Sequence, residues 1–346
     1  MKQSIKSSLS KINFKLGRNP IIERKANYRD YVPEPYQSVF TLSADFELAW
    51  AWRFSKGYAD PLLGARERAR LARRNMPKIL KLCDTYQIPV TWATVGHLFL
   101  EECQKKDHLP HPELERIPHF ENDYWRFTEG DWFQHDPCTN YRQDPEWYCP
   151  DLLDQIQNAA VAHEIACHTF SHIDCRDEVC PPEVFATEIS QCQKLAHKRD
   201  VELKTLIYPA HTVGNLDTLA QSGFTNFRSN IGNQLAYPVK HQNGLWEIKS
   251  SYHLELRPYW SDSYQIKRAC TVIDRAIENH SCCHFWFHPS FPERYLQQIL
   301  PDIFAYLHHR RDDMLITTMD KYVDWLNEEI KTGKLPPAIV NEAQSG

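Results

Sequence analysis

Seven short apolar runs punctuate the chain, and what separates them decides the fold class. They are VFTLSAD (39–45), PVTWATVG (89–96), HEIACH (163–168), TLIYPAH (205–211), WEIKSSY (246–252), CCHFWFH (282–288) and MLITTM (314–319). Most are apolar on both faces, as parallel strands covered by helices must be. Helical patterns at 65–87, 182–198, 264–280, 292–310 and 320–332 fall between or after them. Strand and helix in alternation predict an α/β protein, either a barrel or an open doubly wound sheet. The stretch 103–150 breaks the rhythm. It is dense in Trp, Tyr, Phe, Asp and His and has no clear period, so it reads as a long insertion after the second strand, functional or an aromatic cover for the barrel edge. Residues 1–37 read as an N-terminal arm, 38–332 as the folded unit, and 333–346 as a C-terminal tail.

Composition narrows the function classes. With 42% hydrophobic and 25% charged residues the chain can bury a sizeable core. A net charge of -5 offers no basic field for nucleic acid. No apolar run approaches the roughly 20 residues that span a bilayer. The opening MKQSIKSSLSKINFKLG lacks the apolar core of a signal peptide, so a cytoplasmic location is expected. The cysteines number eleven, with no C-x-x-C pair, and are expected to be reduced thiols.

The densest chemistry lies in HEIACHTFSH (163–172). His168 and His172 stand at i and i+4; a helical turn after Cys167 would put both imidazoles on one side, within reach of one ion. Two histidines make an incomplete ligand set. The strand end SADFELAW supplies Asp45 and Glu47, one residue apart and therefore pointing the same way. Two acids together are costly to desolvate unless a cation or proton compensates. A divalent ion is therefore expected, Zn2+ first, with Fe2+, Co2+ or Mn2+ as alternatives. HFWFHPSF places His288 at a third strand end, where it could act as a general acid. IYPAHTVGN brings Pro209 and His211 after a fourth. In a parallel α/β fold all these ends meet at one face. His163, His97 and His253 read as structural.

The order of these pieces resembles the polysaccharide deacetylase family, the carbohydrate esterases related to the nodulation-factor deacetylase. An acidic strand end is followed by H-[ST]-x-x-H (His168 to His172), a proline-bearing strand end (Pro209) and a late histidine (His288), over about residues 38–320. The resemblance implies a distorted (β/α)7 TIM-like barrel, one divalent metal, and hydrolysis of an N-acetyl or related acyl group on a sugar. It implies Glu47, His168 and His172 as metal ligands and Asp45 as base, with an exchange of Asp45 and Glu47 left open, because the family's two adjacent aspartates are here separated by Phe46. His288 would protonate the leaving amine, with Tyr208, Pro209, His211 and Trp286 at the substrate. The arginine expected in the proline motif is absent: Ile207 and Ala210 occupy its places, and His211 or Arg228 are the candidates to replace it. A precursor of a surface polysaccharide is the expected substrate. The rival readings are a hydrolase of C–N bonds in small amides or ureides, and a catalytically impaired glycan-binding relative.

Overall fold

A computed structural model of the chain describes residues 2–335. Its centre is a curled parallel sheet built on Ser38–Phe46, all nine residues of which are buried. One edge of this strand pairs along its length with Cys282–Phe287. The other is shared: Met314–Thr317 pairs with Ser38 to Thr41, and Thr91–Thr94 pairs with Ser43 to Phe46. From Thr91–Thr94 the sheet continues in parallel through Glu164–Cys167, Thr205–Ile207, Asn226–Ser229 and Trp246–Lys249. The chain then bends at Ser250 and Ser251. Ser250 N–H still donates to Ser229 O (3.1 Å), but Ser251 N–H donates to His284 O (2.7 Å), and Tyr252–His253 pairs with Phe285 and Trp286. One bent strand thus joins the two ends of the sheet and closes a seven-stranded ring. The expected (β/α)7 barrel is present, with Met314–Thr317 added at its lower rim.

Helices coat the outside because their apolar residues fall on one stripe. In Pro61–Tyr86 that stripe is Ala65, Ala69, Ala72, Met76, Ile79 and Cys83. The helix begins where Asp60 accepts from Leu63 N–H, with Pro61 at the first helical position, and ends at Gln87 in the left-handed region. In Asp262–Glu278, Ser261 is the N-cap and Ala269, Val272, Ile273 and Ala276 face the sheet.

Within residues 1–37, set apart above as an arm, the segment from Ser7 onward lies against the barrel. A helix spans Lys2–Lys15, and Ile21–Ile22 pairs with Gln234–Leu235. Phe14 packs beneath the guanidinium groups of Arg268 and Arg275, while Tyr31 and Val32 are fully buried. Isolated anchors of this kind leave no periodic signature. The tail expected over 333–346 lies outside the described residues from 336 onward. The insertion contains one short hairpin, Phe120–Glu121 with Arg126–Phe127, packed on Phe54 and Trp132. All eleven cysteines are unpaired.

Glu164 opens its strand at the rim opposite the site described below and is 5% exposed. It accepts from Thr91 Oγ1 (2.6 Å) and from Asp320 N–H (3.1 Å). Burial, with the Asp320 carboxylate second, pushes its carboxyl up to about 8. A carboxyl raised on folding keeps its proton in the native chain after the unfolded chain has lost it, so stability falls as pH rises from about 4.5 towards 8. Glu164→Gln is expected to remove that fall: urea unfolding at pH 5.5 and pH 8 should show the difference between the two pH values shrinking by about 1–3 kcal/mol relative to wild type.

Candidate metal centre and catalytic cleft

Strand alternation carries the polar side chains inward. Thr41, Ser43, Asp45 and Glu47 share one face of their segment while Leu42, Ala44 and Phe46 face the helices; His284, Trp286 and His288 do the same on the neighbouring one. At the upper rim Glu47 Oε2 lies 3.0 Å from His172 Nε2 and 3.4 Å from His168 Nε2. Donor atoms of the three residues all fall within 4.8 Å of one another, and all three residues are buried. The imidazole rings are 4.9 Å apart and inclined at 69°.

No helical turn achieves this, contrary to the reading from i, i+4 spacing. Thr169 (φ 57°) and His172 (φ 59°) both adopt the left-handed region, and the loop between them folds the second ring back over the first. Surrounding groups pin that loop. Gly96 and His97 N–H donate to Thr169 O and Phe170 O (2.8 and 2.9 Å), Ser171 N–H and hydroxyl donate to Glu188 (2.8 and 2.6 Å), and Arg53 donates to Ser171 O (3.0 Å). Gly96 has to be glycine, since a Cβ there would stand 2.5 Å from Cys192 Sγ and 3.0 Å from Phe170 Cα. Leu48 (φ 45°), Ala210 (φ 45°) and His211 (φ 60°) add three more left-handed residues at the same rim.

The proton count favours a cation. His168 Nδ1 is 2.6 Å from Ile207 O and must donate there, which turns Nε2 towards the Glu47 carboxylate. His168 Nε2, His172 Nδ1 and Glu47 Oε1 have no hydrogen-bond partner although buried. Burial holds His172 down to about 4, so it is a neutral imidazole at pH 7. Two imidazoles and a carboxylate converging in a buried corner are the donors a divalent ion requires, and the residues fit such a group.

Asp45 stands apart from this triad. Its Oδ1 and Oδ2 accept from Arg228 Nη1 and Nη2 at 2.6 and 2.8 Å, a bidentate pair with both side chains inside the barrel. Burial alone would raise the Asp45 carboxyl, but the Arg228 guanidinium overrides it and holds the group well below the usual carboxylate range. Arg228 also donates to Ser43 Oγ (2.9 Å) and lies 4.8 Å from the Trp286 ring centre. Ser43 in turn meets His284 Nε2 (2.9 Å), whose Nδ1 meets Thr41 Oγ1 (2.8 Å). Arg228, one of the two candidates to replace the arginine absent from the proline motif, is the residue that pairs with Asp45, whereas no hydrogen bond joins His211 to that carboxylate. Arg228 comes from Asn226–Ser229, a strand absent from the expectations because its inward residues are polar and NFRS shows no apolar run.

The remaining candidates divide. His288 Nε2 is 3.2 Å from Glu47 Oε1, with the side chain 20% exposed. His288, His211, Trp286, Asp45, Glu47 and His172 all line a cleft of about 940 Å³. Tyr208 and Pro209 do not reach it: Tyr208 is buried beside Phe185 and Phe227, and its hydroxyl donates to Gly214 O at 2.8 Å. His253, read above as structural, does line the cleft, stacked on Trp286 with ring centres 3.7 Å apart and bonded to Glu255. It follows the bend at Ser250 and Ser251, which sequence spacing does not reveal. The insertion reaches the cleft through Asp123, Tyr124 and Trp125, with the Trp125 ring against His172 at 5.3 Å. Trp132 and Phe133 are buried away from it.

Comparison with known proteins agrees with this arrangement. The polysaccharide deacetylase family model matches residues 67–225. Among solved structures, a protein described as a polysaccharide deacetylase from Mycobacterium smegmatis superposes with a TM-score of 0.60 at 13% identity, covering 90% of this chain and 96% of its own. One similarly described from Pseudomonas aeruginosa PAO1 gives 0.58 at 9% identity, covering 87% and 94%. An allantoinase, Puue, gives 0.56 at 10% identity, covering 85% and 92%. No curated protein sequence matches the chain. The family match spans the histidine motif and the solved structures share the barrel around it, so the chain is similar to the polysaccharide deacetylase family over residues 67–225.

Proposed function

We propose that the chain is a metal-dependent hydrolase that removes an N-acetyl or related acyl group from a sugar. The observation that carries this reading is the meeting, at one rim, of the Glu47, His168 and His172 donors with an Asp45 carboxylate clamped by Arg228, with Asp45, Glu47 and His172 open to the cleft. A divalent ion held by those three residues, zinc being our choice among zinc, iron, cobalt and manganese, would polarise the acyl carbonyl and acidify water. Asp45 accepts the proton of the attacking water; Arg228 fixes the carboxylate's direction and keeps it from serving as a ligand, which leaves Glu47 for the metal. His288 returns a proton to the departing amine. Trp52, Trp125 and Trp286 line the cleft as apolar walls for a sugar, and the cleft volume is in the range of small-molecule sites. A precursor sugar in surface polysaccharide synthesis is the substrate we favour.

Two other readings can be separated by experiment. The likeness to an allantoinase keeps hydrolysis of small amides or ureides in view, and ammonia release without acetate release would favour it. A non-catalytic glycan-binding role is disfavoured by the Asp45–Arg228 pair, which a binding protein has no need to keep buried. Incubation of purified, zinc-loaded protein with a panel of N-acetyl sugars should release acetate. Absence of acetate across the panel, with sugar binding retained, would overturn the hydrolase assignment.

His168→Ala is expected to lower bound zinc by one equivalent per chain, read by elemental analysis, and to abolish turnover. Asp45→Asn should keep that zinc and reduce kcat by about 10²–10⁴-fold.

Arg228→Met leaves the Asp45 carboxylate buried without its partner, a loss of about 3–5 kcal/mol at pH 7. Asp45 is depressed on folding, so the pair's stabilisation is fully present above the unfolded value near 4 and is lost only as pH falls on towards the much lower folded value. The destabilisation by Arg228→Met should therefore be greatest in urea unfolding at pH 7 and reduced but still measurable near pH 3.5, where the variant's unpaired carboxyl is protonated while the wild-type pair is intact. In the same variant the acid limb of the kcat/KM profile should move to higher pH, a change that loss of packing alone would not produce.

A further inference from the structure

Where the insertion crosses the end of the second barrel strand, the fold gathers a second set of donors that has no part in the cleft. His97 stands in the turn Gly96–Phe99 directly after Thr91–Thr94; Cys103, His111 and Asp136 all come from the insertion. One donor atom from each of the four lies within 4.8 Å of the others, and none of the four lines the cleft. We propose that His97, Cys103, His111 and Asp136 bind one structural zinc ion that ties the insertion to the barrel.

Proton bookkeeping is the first argument. His97 Nδ1 lies 3.1 Å from Trp147 O and must donate to that carbonyl. A neutral imidazole has a single N–H, so His97 Nε2 presents a lone pair to Asp136 Oδ2 at 2.9 Å. Both side chains are 0% exposed, so the nitrogen and the carboxylate oxygen converge where no water reaches, and a divalent cation between them would satisfy both. His111 Nε2 lies 2.8 Å from the same Asp136 Oδ2, so two imidazoles converge on one carboxylate oxygen. Cys103 Sγ is 3.7 Å from His97 Nε2 and 3.6 Å from Asp136 Oδ2. Bonds of about 2.0–2.3 Å at tetrahedral angles put donors about 3.3–3.8 Å apart. The sulfur already stands at those distances, and the carboxylate needs to move by about half an ångström.

Chemistry and support agree. A thiolate and a carboxylate bring two negative charges, which a divalent zinc neutralises, and two imidazole nitrogens complete the set. Four protein donors form a closed set, the mark of a structural rather than a catalytic site. Outer groups orient each ligand, as they do around bound metals. Cys138 N–H donates to Asp136 Oδ1 (2.9 Å), turning Oδ2 towards the histidines. The Tyr148 hydroxyl accepts from Thr139 N–H (2.9 Å), which frees its hydrogen for Cys103 Sγ at 3.1 Å. Arg116 grips the carbonyls of Pro110, His111 and Leu114, fixing the loop that carries His111. A Cys-His-Asp nucleophile is the competing explanation, and the geometry rejects it. A relay needs cysteine and aspartate on different ring nitrogens, whereas Nε2 of His97 faces both.

The test uses the full chain, stripped with a chelator and reloaded. With zinc, wild type should hold one equivalent that survives the double substitution His168→Ala/His172→Ala and is lost in Cys103→Ser and in His111→Ala. With cobalt, the wild-type chain should develop a near-ultraviolet thiolate-to-cobalt charge-transfer band. The cleft triad contains no cysteine, so this band reports Cys103 alone, and it should persist in the double histidine variant. No such band in cobalt-saturated wild-type protein would overturn the proposal, whether or not the Cys103 variant folds. So would a zinc content unchanged by Cys103→Ser. Failure of the cleft to bind metal would leave one equivalent and the band intact, so the two assignments fail separately.

Discussion

A buried guanidinium organises the mouth of this barrel. Arg228 takes both oxygens of Asp45, a hydroxyl from Ser43 and the face of Trp286 at once, and through Ser43 it reaches His284 and Thr41 on two adjacent strands. A charge so deep is costly unless its partner is aligned and every neighbour is satisfied. The alignment requires three strands distant in sequence to hold fixed register: Ser38–Phe46, Asn226–Ser229 and Cys282–Phe287. Once Asp45 is tied in this way, Glu47, two residues on and with the same orientation, is the carboxylate left to face the histidines. The division of labour between two nearby acids thus follows from which one the arginine holds.

The loop geometry around that mouth is unusual in a consistent manner. Leu48, Thr169, His172, Ala210 and His211 all have positive φ, and all five follow strand ends at the upper rim. Non-glycine residues pay about 1 kcal/mol or more for such conformations and keep them only where the surroundings enforce them. Here the enforcement is visible: Glu188, Arg53 and the Gly96 turn hold the histidine loop through its backbone. Strain of this sort preorganises the donors, so that little reordering is left for the moment of binding.

Much of this was legible in the chain, for physical reasons that also mark where legibility stops. Apolar strands alternating with amphipathic helices declare themselves by period, and the D-x-E and H-x-x-x-H pieces declare a shared rim by falling at strand ends. Two features were not legible. Asn226–Ser229 lines a polar interior, so the strand that supplies Arg228 has no hydrophobic signal. The bend at Ser250 and Ser251 moves one strand between two neighbours, and nothing in WEIKSSYH marks where pairing switches. His97 was read as a packed core residue, reasonable for a lone histidine; its companions Cys103, His111 and Asp136 are 6, 14 and 39 positions away, with no regular spacing to tie them together. The i, i+4 spacing of His168 and His172 pointed to the correct pair through the wrong conformation, because a left-handed loop and a helical turn can both bring residues four apart into contact.

The shared edge of Ser38–Phe46 has a consequence for how the polypeptide assembles itself. Its lower half waits for Met314–Thr317, some 275 positions later, while its upper half closes with the nearby Thr91–Thr94. Contacts of such range come late, since the chain must surrender most of its freedom before they form. During synthesis the barrel's first strand is therefore left with a bare lower flank until nearly the whole molecule has emerged, and a nascent chain arrested before that point offers a ready docking edge to any other unpaired strand.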